Sequence, residues 1–213
     1  MHFSKLSILI VAATMVTSCS NDRALRIKAN ELAQKFIITD GHIDTPWKLS
    51  KNYEDISLRT KTGDFDYVRA KEGGLDVPFM AIYIPSSYLE TGGAKEKADS
   101  LIDMMEEIAD KDPDKFEIAY SLADANRIFK EGKVALPLGM ENGAGIEDDI
   151  SNLKHFYDRG IRYITLTHSK DNLICDSSYD EEEDTWGGLS PYGRKVVKEM
   201  NRLGIMVDIS HVT

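Results

Sequence analysis

The sequence predicts an α/β fold: a parallel sheet covered by helices and curved as a TIM-type (β/α)8 barrel, with about five of its strands present. Three observations carry this. Apolar runs of strand length alternate with segments of helical period along the chain. No glycine-rich phosphate loop follows the first strand, which weakens the rival open, doubly wound sheet in its dinucleotide-binding form. Residues able to ligate a metal stand at the carboxyl ends of four strands, and in a barrel those ends converge on one face.

The chain opens on a segment that does not belong to the fold. Lys5 supplies a positive start, Leu6 to Val16 is a short apolar stretch, and Thr17 and Ser18 are small. This is a secretory signal pattern, too short for a membrane span. Val16-Thr17-Ser18-Cys19 resembles a bacterial lipobox, in which cleavage leaves the cysteine to carry lipid. The expected organisation is a signal peptide over 1–18, a lipid-anchored linker over 19–24 with Cys19 as the lipidation site, and a barrel domain over 25–213. The expected location is the bacterial cell envelope, outside the cytoplasm.

The body of the chain reads in order. A helix near Arg23 to Lys35 leads into a buried strand over Phe36 to Asp40. Val77 to Ile84 is a second apolar strand, ended by Pro85. Ala98, Leu101, Ile102, Met105 and Ile108 fall at helical spacing. A shorter helix starts at Ser121, with Ala125, Ile128 and Phe129 on one face, and Gly132 ends it. Val134 to Met140 is the third strand. Ile146, Ile150, Leu153 and Tyr157 mark a helix stopped by Gly160, and Ile161 to Thr167 is a β-branched fourth strand. Ser190-Pro191 is an N-cap followed by proline at the first helical position. Val196, Val197, Met200 and Leu203 form that helix's apolar stripe, Gly204 closes it, and Ile205 to Ile209 is the fifth strand.

Composition narrows the function. There are 26 basic against 36 acidic residues, a net charge of -10. Such a surface repels phosphate backbones, so no nucleic-acid partner is expected. Beyond Cys19 only Cys175 remains, which excludes an internal disulfide and a thiolate zinc site; it reads as a small, semi-buried hydrophobe. Asp180 to Asp184 is a run of adjacent acids without calcium-loop spacing, expected to be a solvated loop.

The chemistry lies at the strand ends. His42 follows the first strand, Glu141 the third, His168 the fourth and His211 the fifth, whereas His155 falls within a helix and reads as a surface residue. His42 and Asp44 form His-x-Asp; residues two apart in extended chain project to the same side. The pair suits zinc and equally a strand-end hydrogen bond. A carboxylate such as Glu141 at the end of an apolar strand requires a cation or a metal to offset its burial. His211 reads as a metal ligand or as a hydrogen-bonded core histidine, with Asp208 as a supporting neighbour.

These residues sit inside longer motifs. Asp40-Gly41-His42-Ile43-Asp44-Thr45-Pro46-Trp47, Gly160-Ile161-Arg162-Tyr163-Ile164-Thr165-Leu166-Thr167-His168 and Val207-Asp208-Ile209-Ser210-His211-Val212, in order, resemble the membrane (renal) dipeptidase family, peptidase family M19. The similarity runs from about residue 25 to the last residue. It implies a metallo-dependent hydrolase barrel holding two zinc ions and hydrolysing dipeptides, with a dipeptide as substrate partner and a homodimer as a further expectation. It implies His42 and Asp44 as ligands of one metal, Glu141 as the bridging carboxylate, and His211 as a ligand of the second. His168 resembles the family's substrate-contacting histidine, which polarises the scissile carbonyl. Gly139-Met140-Glu141-Asn142 departs from the family's common Gly-x-Glu-Gly in its last residue, which puts the local loop shape in question. The resemblance also implies a second histidine for the second metal, an arginine for the substrate carboxylate and a further aspartate downstream of position 213, so the second metal site is incomplete within this sequence. Barrels of this type take about 250 residues, so the chain reads as the N-terminal part of a longer one, with an exposed sheet edge. Two rival readings are another binuclear metal hydrolase, whose usual His-x-His opening this chain lacks, and a lipid-anchored binding protein without catalysis.

Overall fold

The computed structural model describes residues 22–180 and 184–213. The signal segment, Cys19 and the centre of the acidic run lie outside the described residues. Helix α1 covers residues 22–35 and leads into strand β1 (Ile38–Ile43). Then come α2 (Thr45–Lys51), α3 (Tyr67–Gly73), β2 (Leu75–Tyr83), α4 (Tyr88–Thr91) and α5 (Ala94–Lys111). They are followed by β3 (Phe116–Ile118), α6 (Leu122–Lys130), β4 (Val134–Leu136), β5 (Leu138–Glu141) and a 3-10 turn over Gly143–Ile146. The last elements are α7 (Asn152–Asp158), β6 (Ile161–Thr165), α8 (Pro191–Leu203) and β7 (Met206–Asp208).

Five strands form one all-parallel sheet in the order β1-β2-β5-β6-β7. Sequence neighbours are spatial neighbours throughout, as in the wall of a barrel. The sheet curls: His42, near the end of edge strand β1, and His211, just beyond edge strand β7, both reach Glu141 at the end of the central strand β5. It is a half-barrel.

The expected third strand, Val134 to Met140, divides at Pro137. Proline has no N–H to donate, so the ladder breaks there, although the Pro137 carbonyl still accepts from Met80 N at 2.9 Å. The first piece, β4, pairs with β3, which the sequence reading did not single out because three residues are too few to show a period. The first strand is a larger correction. It begins at Ile38 rather than Phe36 and is not buried: Phe36 is 56% exposed and Ile38 39%. Apolar composition suggested a covered strand, but β1 is a sheet edge.

The helices follow their apolar spacing. In α5, Ala98, Leu101, Ile102, Met105 and Ile108 are all buried. Ser121 Oγ accepts from Asp124 N and caps α6. Ser190 Oγ accepts from Gly193 N at 2.8 Å and caps α8, and Gly204 ends α8 in the left-handed region at φ 84°. The helix expected from Ile146 to Tyr157 is shorter. Ile146 belongs to the 3-10 turn, and Ile150 is exposed ahead of α7. Met80, Ile82, Leu138, Met140 and Ile164 of the sheet pack with Leu101, Met105, Phe156, Val196 and Met200 of the helices in one core. Cys175 is buried and unpaired, and burial pushes its thiol up to about 12, which leaves it unreactive. No helix among the described residues is long and apolar enough to cross a membrane.

Candidate metal centre

The five candidate side chains arrive at one rim from four strands. His42 is near the end of β1, and Asp44 follows it at the start of α2, where its side chain makes no capping bond. Glu141 is the last residue of β5, at the middle of the sheet. His168 stands three residues beyond β6 and His211 three beyond β7.

Glu141 is the hub. Its side chain is 9% exposed, and its two oxygens face different partners. Oε2 lies 3.4 Å from His42 Nε2, which is itself 3.5 Å from Asp44 Oδ1. Oε1 lies 3.3 Å from His211 Nε2 and 3.5 Å from His168 Nε2. The donors fall into two sets that share Glu141: His42, Asp44 and Glu141, and Glu141, His168 and His211. Within each set the donor atoms lie within 4.8 Å of one another. One carboxylate offering an oxygen to each set has the arrangement of a bridging ligand.

The chain keeps this carboxylate turned inward by local means. Asn142 adopts φ 76°, which asparagine tolerates better than most residues. Its amide donates to Ile84 O at 2.9 Å, and its oxygen accepts from Ala144 N and Asn172 Nδ2. The turn after Glu141 is thereby tied to the end of β2 and to the loop after β6. Asp208 accepts from Ser210 N at 3.0 Å and bends the chain beyond β7 so that His211 faces in. The loops carrying the two far histidines are stitched together, since Ser178 N donates to His211 O at 3.0 Å. Their rings stand 4.4 Å apart.

Electrostatics and geometry agree. Burial alone would raise the Glu141 carboxyl, but the hydrogen bond to His42 and the charges of His42, His168 and His211 outweigh it and hold the group below the usual range. His42 is raised, chiefly by its hydrogen bond to Glu141 and against desolvation. His168 is lowered by burial and by the neighbouring imidazoles, despite the attraction of Glu141.

The residues fit a metal. Nitrogen and carboxylate oxygen donors without sulfur suit zinc and similar divalent ions. The Nδ1 atoms of His168 and His211 are buried with no hydrogen-bond partner among the described residues, so these rings meet polar groups through Nε2, the atom turned toward Glu141. A cleft of about 720 Å³ opens onto the cluster, lined by His42, Asp44, Glu141, Tyr163, Asp208 and His211.

Two aromatic residues at the rim escaped the sequence reading. Tyr163 of β6 forms a 2.7 Å hydrogen bond with His42 Nδ1. The Tyr83 ring lies 4.9 Å from His168 and 5.2 Å from Trp47. Both look like ordinary strand aromatics in sequence; only strand register and sheet curl show what they face. His155 is at a distance from the cluster and pairs with Asp99 at 2.8 Å, as a helix-surface residue does.

A model of the membrane dipeptidase family, peptidase family M19, matches residues 26–213. An uncharacterized dipeptidase of Schizosaccharomyces pombe is 34% identical over 201 residues, covering 87% of this chain and 49% of its own length. The crystal structure of a probable dipeptidase, PvdM, from Pseudomonas aeruginosa superposes with a TM-score of 0.78 at 27% identity, over 89% of this chain and 50% of that one. A metallo peptidase from Rhodobacter sphaeroides, liganded with a phosphinate mimic of the dipeptide L-Ala-D-Ala, superposes with a TM-score of 0.72 at 25% identity, over 84% of this chain and 59% of that one. The chain spans about half the length of the curated relatives it matches.

Proposed function

Since the chain belongs to the membrane dipeptidase family, peptidase family M19, we propose that it is a zinc-dependent dipeptidase whose two metal sites are joined by Glu141. The observation that supports this most is the division of the Glu141 oxygens between two donor sets. Two zinc ions bound here would supply Lewis acidity and make water a nucleophile near neutral pH.

The residues of this chain would supply part of the site. His42 and Asp44 would hold one ion, and His211 would be one of the ligands of the other. Glu141, common to both donor sets, would serve both ions and offset their charge. His168 is the substrate residue. Its lowered pKa leaves it uncharged at neutral pH, so it can donate a hydrogen bond to the scissile carbonyl as charge builds on that oxygen. The cleft beside β1 and β7 would admit the dipeptide, with the buried Glu141 at its floor.

The Rhodobacter sphaeroides relative carries a mimic of L-Ala-D-Ala, which makes that dipeptide the substrate to try first. The full-length protein supplied with zinc is expected to hydrolyse it, to lose activity to a chelator and to regain it when zinc is returned. Activity that survives complete metal removal would end this reading. The proposal includes an envelope location and a lipid anchor at Cys19, supported by the signal pattern of residues 1–18. Cys19→Ala should then move the protein from the membrane to the soluble fraction, and unchanged membrane association would exclude the anchor.

A further inference from the structure

The Tyr163 hydroxyl forms a 2.7 Å hydrogen bond with His42 Nδ1, across 121 positions of sequence. Among the described residues it is the hydrogen bond that holds this ring from behind, because Nε2 is turned toward Asp44 and Glu141. We infer that Tyr163 is a positioning residue for His42, holding the imidazole so that Nε2 presents its lone pair to the cation shared with Asp44 and Glu141. The inference rests on the zinc reading of the site.

The chemistry requires such a partner. A neutral imidazole that ligates through Nε2 carries its proton on Nδ1, and the acceptor for that proton sets both tautomer and ring plane. In many metal sites the acceptor is a carboxylate or a backbone carbonyl. Here it is a phenol, which both donates and accepts. It can donate to Nδ1 when Nε2 holds the proton, and accept from Nδ1–H when Nε2 gives its proton up to a cation. The ring therefore keeps its place in either state, whereas a carboxylate would favour the protonated imidazolium.

The fold makes room for this contact. Tyr163 is buried on β6, and its ring stands 5.5 Å from Phe79 of β2. Its partner in register on β5 is Gly139. A Cβ at Gly139 would fall inside the Tyr163 ring. Glycine at that position lets the phenol cross the inner face of the curled sheet from β6 to β1, two strands that are not neighbours.

The test is cobalt(II) and zinc titration of the metal-stripped full-length protein, wild type against Tyr163→Phe, which removes one oxygen and keeps the ring. Loss of a partner behind a metal-bound histidine weakens binding by about 10- to 100-fold. That loss is expected at one of the two sites, with the other unchanged and with altered visible absorption of the cobalt form. Far-UV circular dichroism should not change. Gly139→Ala, which displaces the ring rather than deleting its hydroxyl, should weaken the same site. Wild type that binds cobalt while Tyr163→Phe binds it with the same affinity and spectrum overturns this inference alone. Wild type that takes up no cobalt overturns the metal reading and this inference with it.

Discussion

Glu141→Gln should remove metal binding at both sites together. Glutamine keeps the side-chain shape but offers one oxygen and one N–H₂, so one donor set would face a donor instead of an acceptor. It also removes the negative charge that offsets the two ions. Changes that merely disturb a ligand's supporting partner cost up to about 100-fold in affinity, and losing a ligand common to both sites should exceed that. Equilibrium dialysis followed by elemental analysis should find the variant nearly free of zinc under conditions that load the wild type; two tightly held ions in the variant would refute the bridging role.

The same variant carries a pH signature in the metal-free chain. His42 is raised from 6.5 chiefly by its hydrogen bond to Glu141. A raised folded value stabilises fully below 6.5 and is lost as pH rises through that value. Glu141 is depressed from 4.5, so its contribution is present above 4.5 and lost as pH falls through the depressed value. The attraction is therefore greatest between these limits. The urea midpoints of wild type and Glu141→Gln should differ most there, and the difference should shrink on the alkaline side as His42 loses its proton. A difference that grows with rising pH would contradict the assigned pairing.

Phe156→Ala should produce the largest loss of stability from a single side chain outside the rim. Phe156 is fully buried where α7 packs on the sheet, with the His155 ring edge-on at 5.0 Å. Truncating a buried phenylalanine costs about 3–5 kcal/mol, from lost transfer energy and from the cavity left behind. Domains hold only about 5–15 kcal/mol in total, so the change should remove a large part of it. The urea midpoint should fall with little change in slope. A shift equivalent to less than about 1 kcal/mol would be too small for a well-packed core aromatic and would show that α7 does not cover the sheet as seen. Because Phe156 belongs to the helix layer and not to the rim, whatever remains folded should still bind zinc.

Local pattern alone determined a good deal about this protein. Helical period picked out α5 and α8, Ser190-Pro191 and Gly204 marked the two ends of α8, and apolar runs located the main strands. The five candidate site residues were visible because imidazoles and carboxylates at the ends of apolar strands are costly to leave unpartnered, and that cost shows in residue type and position. What needed the tertiary structure was everything set by strand register and curl. Edge position, not composition, exposes Phe36 and Ile38 on β1. The missing N–H of Pro137 divides the third strand and lets β3 pair beside it. The Glu141 oxygens take separate partners only because β1 and β7 bend toward β5, and Tyr163 reaches His42 only because Gly139 lies opposite it in register. Such contacts join residues up to 121 positions apart. A periodicity of two or 3.6 residues carries no information over that separation, so these contacts become legible only when the sheet assembles.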